Sequence, residues 1–369
     1  MKNPGNPENI INVMRRAGAG EPVTIGFIGG SITQGAAASD ESLCYAARVF
    51  KWWKDSFPKA KVRYINAGIG ATTSQFGAAR VYDDLLKYTP DLVIVEYSVN
   101  DNDETLDGAP ADETGFDRSA LFKETYEGLI RKLLAFKSPS GHTPAVLIVH
   151  SVKYDNGRNA EDIHAEIGRH YMIPCLSMKE LIYDRIKDGS AGFSTKDITT
   201  DMLHPNDHGH GIVAGCITDY LNSLKKCSER EGPEKSGAAD VYKDIPSALT
   251  ADKYEHVNRY NRLNSKPELN GFLEDDAPVM QPFFINTASV KEEHAPGRNG
   301  QTERTPGRNG QTERTPAQNG QTESTAEDDR VLSSEVRDVF KNGWTASKKG
   351  DSITFGFKGS ELAVMYRKS

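Results

Sequence analysis

From residue 20 to about 225, short apolar runs alternate with segments whose apolar residues recur every three or four positions, and nothing else in the chain restricts its fold so strongly. The runs are Val23–Ile28, Val62–Asn66, Leu92–Tyr97, Val146–His150 and a weaker Met172–Leu176. Between them, Leu43, Ala47, Phe50 and Phe57 recur at helical spacing, and Ile212, Val213, Cys216, Ile217, Tyr220 and Leu221 mark one face of a last helix. Strands that alternate with helices build a parallel sheet covered by those helices, so a three-layer α/β domain of about 200 residues is expected.

The composition changes after Cys227. KKCSEREGPEKSGAAD is charged, small and aperiodic, and reads as the start of a connector. The expected organisation is a first domain over 1–228, a connector over 229–267, and a partial β-rich, sandwich-like domain over 268–369. Phe272 and the VMQPFFI run at 279–285 offer strand material, and DSITFGF and SELAVMY alternate with period two around KGS as a hairpin would. A lone hairpin is marginal in water, so either strands from 272–285 join it or the domain is incomplete. Between these segments PGRNGQTERT occurs at 296–305 and 306–315, followed by the degenerate PAQNGQTEST at 316–325. Repeats without apolar residues have no face to bury against one another, which excludes a solenoid and predicts a disordered spacer at about 293–327.

The net charge is −7, with basic and acidic residues interspersed, so nucleic acid is not an expected partner. The first twenty residues lack the apolar core of a signal peptide, and no stretch of about 18 apolar residues could span a bilayer. A cytoplasmic location without membrane contact is expected, and a homo-oligomer is left open. Cys44, Cys175, Cys216 and Cys227 show neither CxxC nor zinc-finger spacing and are read as reduced structural thiols.

Four segments carry the chemistry. In VTIGFIGGSITQG a strand runs into Gly29 and Gly30, and Ser31 follows at the carboxyl end of the strand, where α/β sheets bind their ligands. Ser31 is a candidate nucleophile; it is equally suited to capping the next helix or cradling a phosphate. In DMLHPNDHGH, before the last helix, Asp201 and His204 could supply a general base and the acid that fixes its tautomer. A structural alternative has Asp207 or His208 capping that helix, and a rival chemistry has His204, His208 and His210 binding a metal, although no HExxH is present. NAGIGATTS at 66–74 and VEYSVNDND at 95–103 follow the second and third strands. A small-residue turn exposes amides and Asn100 adds a carboxamide donor, both suited to an oxyanion, while Asn100-Asp101 also suits a plain turn.

In that order, GGSIT, AGIGAT, VND and DxxHP resemble the four blocks of the SGNH (GDSL-like) hydrolase superfamily over residues 23 to about 225. The resemblance implies a flavodoxin-like α/β/α fold and a Ser31-His204-Asp201 triad. It implies an oxyanion hole from the Ser31 amide, the amide of Gly70 or Ala71, and the Asn100 side chain, with no metal and no cofactor. Many members have GIGGT where this chain has GIGAT, and Ala71 can still donate its amide provided its φ is negative. GGSIT in place of GDSL resembles bacterial carbohydrate-esterase branches, some of which join such a domain to a carbohydrate-binding β-sandwich and remove acetyl groups from plant polysaccharides or their oligosaccharides.

The expected activity is therefore a serine-dependent deacetylation of acetylated oligosaccharides. A lipase- or thioesterase-like acyl hydrolase would use the same residues. A different class, a non-catalytic carbohydrate-binding protein on a hydrolase scaffold, would not need all of them. Phe340 and Trp344 in the tail could stack on a sugar, whereas of Trp52 and Trp53, in a helix, at least one is expected in the core.

Overall fold

The five apolar runs form the strands of one sheet. The structure is a computed structural model and describes residues 2–102, 118–231, 241–275, 343–346 and 348–356. Strands β1 (Val23–Gly29), β2 (Val62–Gly68), β3 (Leu92–Glu96), β4 (Ala145–His150) and β5 (Cys175–Ser177) lie in the order β2-β1-β3-β4-β5, and all pairings are parallel. This is the flavodoxin-like order, whose switch point falls between β1 and β3. The weak fifth run starts its strand at Cys175 rather than Met172, because Met172 sits in a left-handed turn (φ 52°) that closes the preceding helix.

Side chains alternate between the two faces of the sheet. Ile25, Phe27, Ile94 and Leu147 pack under α1 (Glu8–Gly18), α3 (Tyr45–Ser56) and the last helix. Ile28, Val93, Val95 and Ile148 pack under α4 (Ser74–Asp84), α5 (Arg118–Ala135) and α6 (Glu161–His170). Both faces exclude water, so the strands read as continuous apolar runs rather than as an apolar–polar alternation. Trp53 is fully buried, and Trp52 is half-buried with its indole N–H on Asn222, so both pack within the domain. The β5 edge is closed by the N-terminal segment, where Asn3 and Cys175 exchange backbone hydrogen bonds. That contact removes an exposed edge from the sheet.

Beyond β5 come α7 (Asp184–Lys187), α8 (Thr195–Ile198) and α9 (Asp207–Glu231). Helix α9 runs past residue 228, where the first domain was expected to end. The described part of the expected connector, residues 241–264, is fastened to the α4–α5 face. Glu127 on α5 accepts the backbone N–H groups of Leu249 and Thr250, Arg131 pairs with Glu255, and Tyr242 is buried in the same apolar cluster. Composition alone hides this attachment, because the apolar residues that make it, Tyr242, Ile245, Tyr254 and Val257 among them, show no regular period, and the charged side chains that complete it lie on α5.

Further on, β6 (Glu268–Asn270) pairs antiparallel with β9 (Ser352–Thr354), and β7 (Phe272–Asp275) pairs with β8 (Gly343–Ala346). The partner of the DSITFGF strand is thus 268–270, just before the expected 272–285, while the strand at Phe272 pairs with 343–346; Trp344 packs edge-on to Phe355. The repeat at 293–327, the run at 279–285, Phe340 and SELAVMY lie outside the described residues. No described helix is long and apolar enough to cross a membrane.

Candidate active site

Gly29 ends β1, and the next residues turn at once into the single-turn helix α2 (Ser31–Gln34). The two glycines are needed for space. A Cβ on Gly29 would lie 2.2 Å from Thr33 Oγ1 and 2.3 Å from the Glu96 carbonyl, and one on Gly30 would lie 2.3 Å from Asn100 Oδ1. The Asn100 carboxamide is therefore packed against the backbone immediately before Ser31. Ser31 is 3% exposed, so its hydroxyl sits at the floor of the sheet edge and not on open surface.

The DMLHP loop faces it. His204 Nε2 lies 2.9 Å from Ser31 Oγ, and His204 Nδ1 lies 2.6 Å from Asp201 Oδ2. Asp201 Oδ1 also accepts the backbone N–H groups of His204 at 2.7 Å and Leu203 at 3.0 Å. Partial burial opposes its charge, but the bonds from the His204 ring and these amides outweigh it and hold the carboxyl well below the usual carboxylate range. Ionised Asp201 keeps the proton on Nδ1 and leaves Nε2 able to accept one from Ser31. The loop is anchored by the Tyr154 N–H on the Met202 carbonyl at 2.7 Å, with Met202 itself at φ 64°.

The other histidines turn elsewhere. His208 is exposed with Nδ1 near the Asp197 carbonyl, and His210 is buried between the Tyr45 N–H and the Ala36 carbonyl. Burial holds the His210 ring down to about 4, neutral at ordinary pH. The three-histidine cluster considered from the sequence is not assembled, and no metal-like grouping of three or more His, Cys, Asp or Glu occurs among the described residues. Neither Asp207 nor His208 caps α9 with its side chain. Asn206 does, accepting the Gly209 N–H at 3.0 Å, while the Asp207 carboxylate holds Ser39.

The glycine-rich turn after β2 requires a correction. The φ of Ala71 is +56°, not negative, a left-handed conformation that costs a residue with a Cβ about 1 kcal/mol; the expected condition on φ fails, but the N–H is present at either sign, so the cost is strain and not loss of the donor. Of the two candidate amides, that of Gly70 is already engaged, donating to Gln34 Oε1 at 2.8 Å. Ala71 is exposed at the sheet edge.

Several supporting residues carry no motif. Asp101 is no mere turn residue: fully buried, it accepts the Ser74 N–H at the start of α4 and pairs with His164 on α6. Arg80, also fully buried, reaches the Gly29 carbonyl and the Tyr97 hydroxyl, tying α4 to the ends of β1 and β3. Glu96 lies beneath α2, where burial pushes its carboxyl up to about 8 against the hydrogen bonds of Ser151 and Thr33. A buried-type strand ending in a glutamate was the only trace of this in the sequence.

The family model described as GDSL-like lipase/acylhydrolase matches residues 27–212. Two crystal structures of a two-domain esterase active on acetylated mannans, one co-crystallised with mannopentaose, are similar at 37% identity over 95% of this chain and 72% of theirs, with TM-scores of 0.66 and 0.65. A search of curated proteins finds no match. The sheet order and these similarities define the class as a three-layer α/β hydrolase with an added β-rich tail. The chain belongs to the GDSL-like lipase/acylhydrolase family and is a carboxylic ester hydrolase.

Proposed function

We propose that the chain removes O-acetyl groups from plant-type oligosaccharides through an acyl-enzyme formed on Ser31. The observation that carries this reading is His204, which bridges Ser31 Oγ and Asp201 through its two ring nitrogens. Ser31 Oγ attacks the acetyl carbonyl as His204 Nε2 takes its proton, and the imidazolium then gives that proton to the departing sugar oxygen, which leaves as a hydroxyl as the acyl C–O bond breaks. Water repeats the sequence on the acyl-enzyme, releasing acetate and restoring the serine. The tetrahedral oxygen is met by the Ser31 and Ala71 amides and by the Asn100 carboxamide, donors held in place before the charge develops.

The acetylated-sugar substrate is supported by the relative of 37% identity, whose description names acetylated mannans. The domain reading proposed here keeps 1–228 as the catalytic domain, extended by α9 and the segment fastened to α5. The region 268–369, which contains the described strand pairs, is an accessory β-rich unit that selects substrate. Acetate release from acetylated manno- and xylo-oligosaccharides, beside p-nitrophenyl acetate and a long-chain p-nitrophenyl ester, tests the proposal. Preference for the acetylated sugars is expected. Preference for the long acyl chain would replace the sugar reading with a lipase-like one.

A further inference from the structure

The catalytic scheme leaves unused one buried side chain at the junction of the nucleophile helix and the glycine-rich turn. Gln34 closes α2 one helical turn beyond Ser31 and is 5% exposed. Its Oε1 accepts the Gly70 N–H, while its Nε2 is buried with no hydrogen-bond partner. The two segments touch through their backbones as well, since a Cβ on Gly68 would lie 2.3 Å from the Gln34 nitrogen. An orphaned buried donor is costly, and a glutamine retained under that cost calls for a reason.

The next residue in the turn supplies the reason. Ala71 is held at a φ that its Cβ disfavours, and a strained backbone persists only where its surroundings over-determine it. The restraints come from the flanking residues: Ile69 N–H on the Gly29 carbonyl, the Thr72 hydroxyl on the Ile69 carbonyl, and Gly70 N–H on Gln34. Of these, the Gln34 bond alone joins the turn to the nucleophile helix by a side chain. We infer that Gln34 is a positioning residue that fixes the Gly70–Ala71 turn relative to Ser31, so that the Ala71 amide, and not that of Gly70, meets the oxyanion. This rests on the reading of Ser31 as nucleophile. It also accounts for a carboxamide over a carboxylate at position 34, because a negative charge against the Gly70 amide would oppose the charge developing beside Ala71.

Gln34→Met keeps the length of the side chain and removes the acceptor. Gln34→Glu keeps the acceptor and adds charge. In the full chain, with p-nitrophenyl acetate as substrate, Gln34→Met is expected to lower kcat about 10- to 100-fold with KM nearly unchanged, less than the roughly 10²- to 10³-fold that follows outright removal of one oxyanion donor, because the Ala71 amide is displaced and not deleted. Gln34→Glu is expected to lose activity as well, with its rate relative to wild type rising as the pH is taken from 8 to 5 and the new carboxyl is neutralised. Stoichiometric labelling by diisopropyl fluorophosphate counts the intact sites in each variant. A kcat loss matched by an equal loss of labelled sites would reduce Gln34 to a fold-holding role and overturn the inference. Wild-type kcat in Gln34→Met alongside an inactive Ser31→Ala would overturn it too, while leaving the proposed function in place. An active Ser31→Ala would instead defeat the proposed function itself.

Discussion

The loop that presents Ser31 and the loop that presents His204 are built by opposite means. Ser31 sits where β1, β2 and β3 deliver their ends, and its surroundings are close-packed backbone, with Gly29 against Thr33 and the Glu96 carbonyl, and Gly30 against Asn100. The Asp201–His204 loop is a local structure. Its hydrogen bonds run mostly within residues 197–209, half of the Asp201 side chain is exposed, and Tyr154, in the loop after β4, holds it through the Met202 carbonyl. In the proposed mechanism the nucleophile must be aimed at oxyanion donors from two other segments and at its base, so its position is fixed by many distant contacts. A base and its acid partner need only each other and the serine, so a short turn suffices.

That contrast can be broken most severely at the chemistry itself. Ser31→Ala and His204→Ala are each expected to lower kcat for p-nitrophenyl acetate by at least about 10³-fold with unchanged circular dichroism. Turnover near wild type in either would show that the two loops do not work as one unit.

A single methyl group tests the packed side. Gly30→Ala brings a Cβ to 2.3 Å from Asn100 Oδ1, so the carboxamide must move. A fall in kcat of about 10²-fold is expected, the size that follows removal of one oxyanion-hole side chain. Unaltered kcat would mean that Asn100 has room to spare and that the nucleophile side is less constrained than its packing implies.

The smallest effect belongs to the local loop. Met202 is exposed at φ 64°, so Met202→Gly relieves backbone strain while freeing the unfolded chain, two effects that nearly cancel. The Tm is expected to shift by no more than about 3 °C and kcat to stay within about threefold of wild type. A loss as large as that of Gly30→Ala would show that this loop, too, depends on close packing.

Much of this site was legible in the chain because the DxxH pair is local. Asp201 and His204, three residues apart, meet through a turn whose hydrogen bonds the intervening residues themselves supply. The five strands were legible for a related reason, since burial on both faces leaves an unbroken apolar run. The α5-bound segment at 241–264 was not, because Glu127 and Arg131, more than a hundred residues away, hold it. The sign of φ at Ala71 was not legible either, for a lone alanine in a small-residue turn carries no mark of the conformation its neighbours impose.

The sequence by itself determined the class of fold, the order of the site segments and which side chains are candidates to carry reactive atoms. These follow from periodicity and from side-chain chemistry, which are properties of the chain read in order. Only the tertiary structure decided that Gly70 is engaged by Gln34, that Asp101 ties α4 to His164, and that the three histidines after Asp201 point to three different places. Each of these is a contact between segments brought together by the sheet, and a polar side chain has no preferred partner until the packing of the apolar runs has chosen its neighbours.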